Sequence, residues 1–171
     1  MRSAQLAAFH RKGGIVVVGI VIVSHSQKLA EGVKELAAMM THGDVPIEVA
    51  GGIEDGMLGT SFSKVKTAIE EVCGMDGAVI LMDMGSAVMT AELAVEECRD
   101  DAVILVDCPL VEGAVLAAVA AASGAGLEEV VRQAEAARQM KKNGILSSPA
   151  CWLSQVSQSH TAVDIIGIMD R

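Results

Sequence analysis

Four short apolar runs alternate along the chain with longer stretches of helical period. Residues 15–23 (IVVVGIVIV) are apolar or glycine throughout, as a parallel strand covered on both faces must be. Residues 45–50 (VPIEVA) carry Pro46 early, which suits an edge strand. Residues 77–82 (GAVILM) and 102–106 (AVILV) form the third and fourth runs. Between the first two, Leu29, Val33, Leu36, Ala37 and Met40 recur at spacings of three and four, which predicts a helix over 27–41 that ends at His42-Gly43. Phe62, Val65, Ile69 and Val72 stripe a second helix, with Thr60 or Ser61 available as its cap. Val88, Ala91, Val95 and Cys98 stripe a third that opens at Ser86. Two more helices are predicted over 112–122 and 126–141. The first is almost entirely Ala and Val, hence covered on most sides, with a second subunit as one candidate cover. The second is amphipathic through Leu127, Val130, Val131, Ala134 and Ala137 and ends at Asn143-Gly144.

This order, β-α-β-α-β-α-β-α-α, predicts a three-layer α/β sandwich. A central, mainly parallel sheet of four strands, in the order 2-1-3-4, carries right-handed crossovers and helices on both faces. Val163–Met169 offers a fifth edge strand. The domain is read as residues 15–142, between an N-terminal extension (1–14) and a C-terminal tail without period (143–171).

Composition narrows the picture. The 171 residues suit one domain with a sizeable core, and 51% are hydrophobic, which excludes disorder. Only 2% are aromatic, so the core is aliphatic. A net charge of −9 argues against a nucleic-acid partner and fits a cytoplasmic protein that meets other proteins. Cys73, Cys98, Cys108 and Cys151 include no CxxC pair, so they read as reduced, mostly buried thiols rather than a metal site. Ile15–Val23 behind Arg11 and Lys12 has the length of a signal-peptide core. It is followed, however, by polar SHSQK and not by a small-residue cleavage site. No apolar run reaches the ~18 residues of a membrane span.

In parallel sheets, ligands bind beyond the carboxyl ends of the strands. Those ends carry Ser24-His25-Ser26, the Gly-rich loop Gly51–Ser61, Asp83-Met84-Gly85-Ser86 and Asp107. His25 is the natural centre, because a neutral imidazole has one nitrogen to attack with and one to be oriented. Asp83, ending a neighbouring strand, is the best candidate to hold the second nitrogen. Backbone N–H groups near Ser24, Ser26, Gly59-Thr60-Ser61 and Gly85-Ser86 are placed to receive phosphoryl oxygens. Taken singly, each feature has a plainer explanation. A lone histidine at a strand end is more often a surface residue, Asp83 and Ser86 can serve as helix caps, and the loop lacks the lysine of a P-loop. His10, His42 and His160 read as solvated. Convergence of the strand ends is what favours His25.

The stretches VIVSHSQKLAEGVKELAAMM, GGIEDGMLGTSFSKVKTAIE and GAVILMDMGSAVMTAELA together resemble the phosphotransferase-subunit family of phosphoenolpyruvate-dependent dihydroxyacetone kinases, relatives of the mannose-type IIA domains of the bacterial phosphotransferase system. The likeness covers about residues 15–141. It implies a dimer in which His25 receives a phosphoryl group from the phosphocarrier HPr and passes it to ADP held by the nucleotide-binding kinase subunit. This chain would itself bind no cofactor and no metal. Asp83 matches the carboxylate that pairs with the active histidine of mannose-type relatives. Some members carry fused HPr-like and enzyme-I-like domains, for which this chain is too short, so a donor in trans is expected. The runner-up is a mannose-type IIA domain for sugar uptake. A non-catalytic regulatory or binding module is a third reading. VILMDM also resembles the phosphoacceptor strand of signalling receivers, but strand one ends in Ser-His-Ser rather than the acidic residues that would hold magnesium.

Overall fold

A computed structural model describes residues 16–140, apart from Asp44, Gly74 and Arg99. The expected fifth strand lies outside the described residues; the last helix, expected over 126–141 with its stop at Asn143-Gly144, instead ends at Ala136 and tightens into a 3-10 turn over Ala137–Gln139. Four strands, β1 (Gly19–Ser24), β2 (Ile47–Gly51), β3 (Ala78–Met82) and β4 (Val103–Val106), form one sheet in the order β2-β1-β3-β4. All three pairings are parallel. The helices are α1 (Gln27–Met40), α2 (Phe62–Val72), α3 (Ser86–Cys98), α4 (Leu110–Ala122) and α5 (Leu127–Ala136).

The two central strands are buried at every residue, which is why their sequences are apolar without alternation. Alternate side chains feed two cores. Ile20, Ile22, Val79 and Leu81 meet α1, α4 and α5 on one face. Val21, Val23, Ala78 and Ile80 meet α2 and α3 on the other. Ile80 is fully buried, so Ile80→Ala is expected to cost about 2–5 kcal/mol in urea unfolding by removing buried methyls and leaving a cavity.

Helix registers depart from the sequence pattern in instructive ways. On α1 the buried stripe is Ala30, Val33 and Ala37, while Leu29, Leu36 and Met40 are exposed. The cause is close approach: a Cβ on Gly51 would lie 2.6 Å from Gln27 Cα, so only small side chains fit between α1 and the sheet. On α2, Val65, Ala68, Ile69 and Val72 are buried and Phe62 is partly exposed. On α3 the buried stripe is Ala87, Ala91 and Ala94, with Val88, Val95 and Cys98 only half-buried. Ala114, Ala117, Ala118, Ala120 and Ala121 of α4 are buried within the same chain, while Val111, Val119 and Ala122 are exposed. The thiols are also less buried than expected: Cys73 is exposed, and Cys98 and Cys108 are intermediate. Pro46 lies just before β2, where its carbonyl accepts a hydrogen bond from the Ile20 N–H. Among the described residues, no helix is long and apolar enough to cross a membrane.

Candidate active site

β1 and β3 are neighbours in register, Val23 opposite Met82, so the residues that follow each strand emerge side by side. His25 and Asp83 are therefore brought together by sheet pairing although 58 positions separate them in sequence. The Asp83 carboxylate takes four donors. Oδ2 accepts from the Ser24 hydroxyl at 2.9 Å and the His25 backbone N–H at 2.8 Å. Oδ1 accepts from His25 Nδ1 at 2.9 Å and the Met84 N–H at 2.7 Å. Partial burial by itself would raise the Asp83 pKa. The hydrogen bonds from the backbone of His25 and Met84, then from the His25 ring and Ser24, outweigh it and hold the carboxyl below its ordinary range.

An ionised carboxylate can only accept, so its bond to Nδ1 places a proton there. Neutral His25 then has its lone pair on Nε2. That atom lies 2.8 Å from the Ser86 hydroxyl, which in turn accepts from the Thr60 hydroxyl at 3.1 Å. Thr90 Oγ1 sits 3.3 Å behind Thr60. The hydroxyls form a chain that terminates on Nε2. The His25 side chain retains 30% of its exposure, so the site is a rim and not a deep pocket.

The Gly-rich loop is strapped to the end of β1. The Gly52 N–H donates to the Ser24 carbonyl at 3.0 Å and the Gly59 N–H to the His25 carbonyl at 2.9 Å. Lys64 Nζ donates to the carbonyls of Gly51 and Ile53, at 3.2 and 3.0 Å. Gly51 Cα faces the first turn of α1, where an added Cβ would come within 2.8 Å of the Ser26 carbonyl. Gly51→Ala is therefore expected to displace α1 or the loop and to lower the melting temperature by several degrees in a thermal scan.

Ser24, His25, Thr60, Asp83 and Ser86 form one connected network. The other expected site residues sit beside it. Ser26 caps α1, its hydroxyl accepting from the Leu29 N–H at 3.3 Å. Ser61 stands at the N-cap of α2 without a side-chain capping bond, and its hydroxyl pairs with Ser63. The Gly59 N–H is taken by the His25 carbonyl and so, contrary to expectation, is not free for an anion in this conformation. Gly85 turns the chain with a φ of 53°, a value that glycine adopts without strain. Gly85 and Ser86 precede the first helical bonds of α3, so their N–H groups have no intrahelical acceptor. Ser86 is the first helical residue, and its hydroxyl points to His25 instead of capping. Asp107, at the end of β4, pairs with Arg138. His42 is exposed. Lys64 and Thr90 were not singled out from the sequence. Thr90 had a signal, since it lies one turn beyond Ser86 on the same helix face. Lys64 had none, because a lysine on the polar side of a helix looks like any solvated charge.

A parallel α/β domain that carries a carboxylate-oriented histidine beyond the carboxyl ends of its central strands is the class that the fold and site define. The chain belongs to the mannose-type IIA family of the phosphotransferase system: the family model described as "PTS system fructose IIA component" matches residues 19–131. Among curated proteins it is similar to the phosphoryl donor subunit DhaM of the PEP-dependent dihydroxyacetone kinase of Escherichia coli, with 44% identity over 132 residues that cover 74% of this chain and 28% of the relative. The phosphotransferase subunit DhaM of the PTS-dependent dihydroxyacetone kinase of Lactococcus lactis is 39% identical over 117 residues, 68% of this chain and 93% of that protein. The chain thus spans little more than a quarter of the enterobacterial relatives and nearly all of the lactococcal one. A crystal structure of a protein of unknown function, EF1359, superposes with a TM-score of 0.64 at 32% identity, covering 75% of this chain and 98% of the other. A sigma-54 interaction domain protein from Enterococcus faecalis shares the fold at 15% identity, with a TM-score of 0.59 over 74% of this chain and 93% of that one.

Proposed function

We propose that this chain is the phosphoryl relay of a phosphoenolpyruvate-dependent dihydroxyacetone kinase, a cytoplasmic phosphotransferase subunit working through phosphohistidine. The observation that carries the reading is the polarity imposed on His25: Nδ1 held by Asp83, Nε2 directed outward at an exposed rim. The Nε2 lone pair attacks the phosphorus of a phosphohistidine on the carrier HPr. The new Nε2–P bond forms as the carrier's N–P bond breaks, and the electron pair returns to the carrier imidazole. Asp83 stabilises the positive charge that the phosphorylated ring acquires. The Ser86 hydroxyl now stands where the phosphorus must bond. It swings aside and, with Thr60, donates to phosphoryl oxygens, joined by the Gly85 and Ser86 N–H groups at the start of α3. In the second half-reaction, a terminal oxygen of ADP attacks the same phosphorus and Nε2 recovers its lone pair. The ADP is bound by the nucleotide-binding kinase subunit, so this chain needs neither nucleotide nor metal of its own.

Both partners are proteins, which suits a site built on a rim. Met57 and Leu58 of the Gly-rich loop and Met84 beside Asp83 are all exposed, and flexible apolar side chains accommodate more than one surface. The working form is a homodimer. The family model's own description, a IIA component, favours a second reading in which a IIB protein is the acceptor. Incubation with labelled phosphoenolpyruvate, enzyme I and HPr tests the first half-reaction. Addition of the ADP-loaded kinase subunit tests the second. Discharge by that subunit and not by a IIB protein is expected; the reverse would establish the uptake reading, and no labelling would leave a binding module.

A further inference from the structure

At the end of the sheet opposite His25, two of the cysteines meet. Cys73 directly follows α2, and Cys98 is the last residue of α3. The two Sγ atoms are 3.4 Å apart. The Cys73 Sγ also lies 3.4 Å from a carboxylate oxygen of Asp100. We propose that Cys73 and Cys98 form a dithiol site that closes to an intramolecular disulfide on exposure to a small-molecule disulfide such as oxidised glutathione.

Three observations support the assignment. The separation must shrink by only roughly 1.4 Å to reach an S–S bond, which side-chain rotation at two helix ends can supply. Cys73 is exposed and Cys98 half-buried, so a soluble reagent reaches the first thiol and the second is shielded beside it. Both sulfurs end helices that pack on the same face of the sheet, so a bond between them ties two elements already in contact. Cys108 lies beside Gly113, whose added Cβ would be 2.2 Å from its sulfur, and makes no such pairing among the described residues.

The step balances as two exchanges. The Cys73 thiolate attacks one sulfur of the reagent, forming a mixed disulfide and releasing one glutathione thiolate. The Cys98 thiolate then attacks the Cys73 sulfur, forming the Cys73–Cys98 bond and releasing the second glutathione. The chain loses two electrons and two protons, and the reagent gains them. Desolvation, then the neighbouring Cys98 and Asp100, push the Cys73 thiol up to about 12, so exchange is slow at neutral pH.

The bridge would brace the domain from behind. α2 starts directly after Thr60-Ser61, and α3 starts at Ser86, so both elements that carry the Thr60–Ser86 hydrogen bond are fixed at their far ends. Closing a loop of this length raises the melting temperature by roughly 10 °C.

The full-length chain is incubated with oxidised glutathione overnight, quenched with acid and examined as intact mass and as peptides. The expected result is a loss of about 2 Da, a peptide pair joined through Cys73 and Cys98, and reversal by dithiothreitol. Peptide mapping of the unmutated chain keeps the test independent of any variant's folding. In addition, Cys73→Ser and Cys98→Ser should each abolish the 2 Da loss, while Cys108→Ser and Cys151→Ser keep it. Stable glutathione adducts, a bridge through Cys108 or Cys151, or an unchanged mass would each overturn the assignment.

Discussion

His25→Ala is expected to abolish the proposed phosphoryl transfer from HPr, because no other described side chain offers an oriented imidazole at the rim. Label incorporation falls to background at any donor concentration, a loss that raising substrate does not rescue. The substitution removes the bonds to Asp83 and Ser86 but leaves the backbone N–H of residue 25 on Asp83. Its cost in stability is about 1 kcal/mol, so the variant remains folded in circular dichroism and urea unfolding. His42→Ala, which alters an exposed histidine at the end of α1, is the matched control and keeps full transfer.

Asp83→Asn gives the second-largest effect, and its cause differs. All four groups facing the carboxylate are donors in the native site. An asparagine oxygen serves one side only, and its NH2 confronts two donors on the other. With the NH2 toward the ring, His25 must present a lone pair at Nδ1 and carry its proton on Nε2. That is the wrong tautomer for attack. Transfer falls by about 10³–10⁴-fold through the rate of the chemical step, as when a histidine's orienting carboxylate is neutralised elsewhere. The Met84 N–H, which shares that side with the ring, is left without its acceptor, at about 1–3 kcal/mol in unfolding free energy. Because the native carboxyl is held below its ordinary pKa, this stability is present above the ordinary carboxylate range and is lost as pH falls through the folded value. The stability gap between wild type and Asp83→Asn therefore narrows in acid. A gap that persists unchanged down to the acid transition would mean that the charge is not the cause.

These two residues also show what the sequence made legible. Each stands at the end of an uninterrupted apolar run, and such runs are buried parallel strands, so the parallel sheet was legible in the pattern. Register was harder to read. Leu29 and Ala30 are adjacent on α1, and apolar stripes can be drawn through either. The choice fell to Ala30 because Gly51 admits only a small neighbour, a contact between residues far apart in sequence. For the same reason the fate of the Gly59 N–H was hidden. A Gly-rich loop signals available donors, but whether they turn toward an anion or back to the His25 carbonyl depends on how the loop is strapped. Lys64 does that strapping through two backbone carbonyls, a role no side-chain pattern announces.

The central claim is that Nε2 of His25 carries the phosphoryl group while Asp83 retains the Nδ1 proton. The direct measurement is ³¹P and ¹⁵N NMR of the chain labelled with ¹⁵N-histidine and phosphorylated through HPr. The expected result is a single phosphohistidine whose phosphorus couples to Nε2 of residue 25, with Nδ1 still protonated. Phosphorus coupled to Nδ1, or acid-stable label on a residue other than His25, would contradict it.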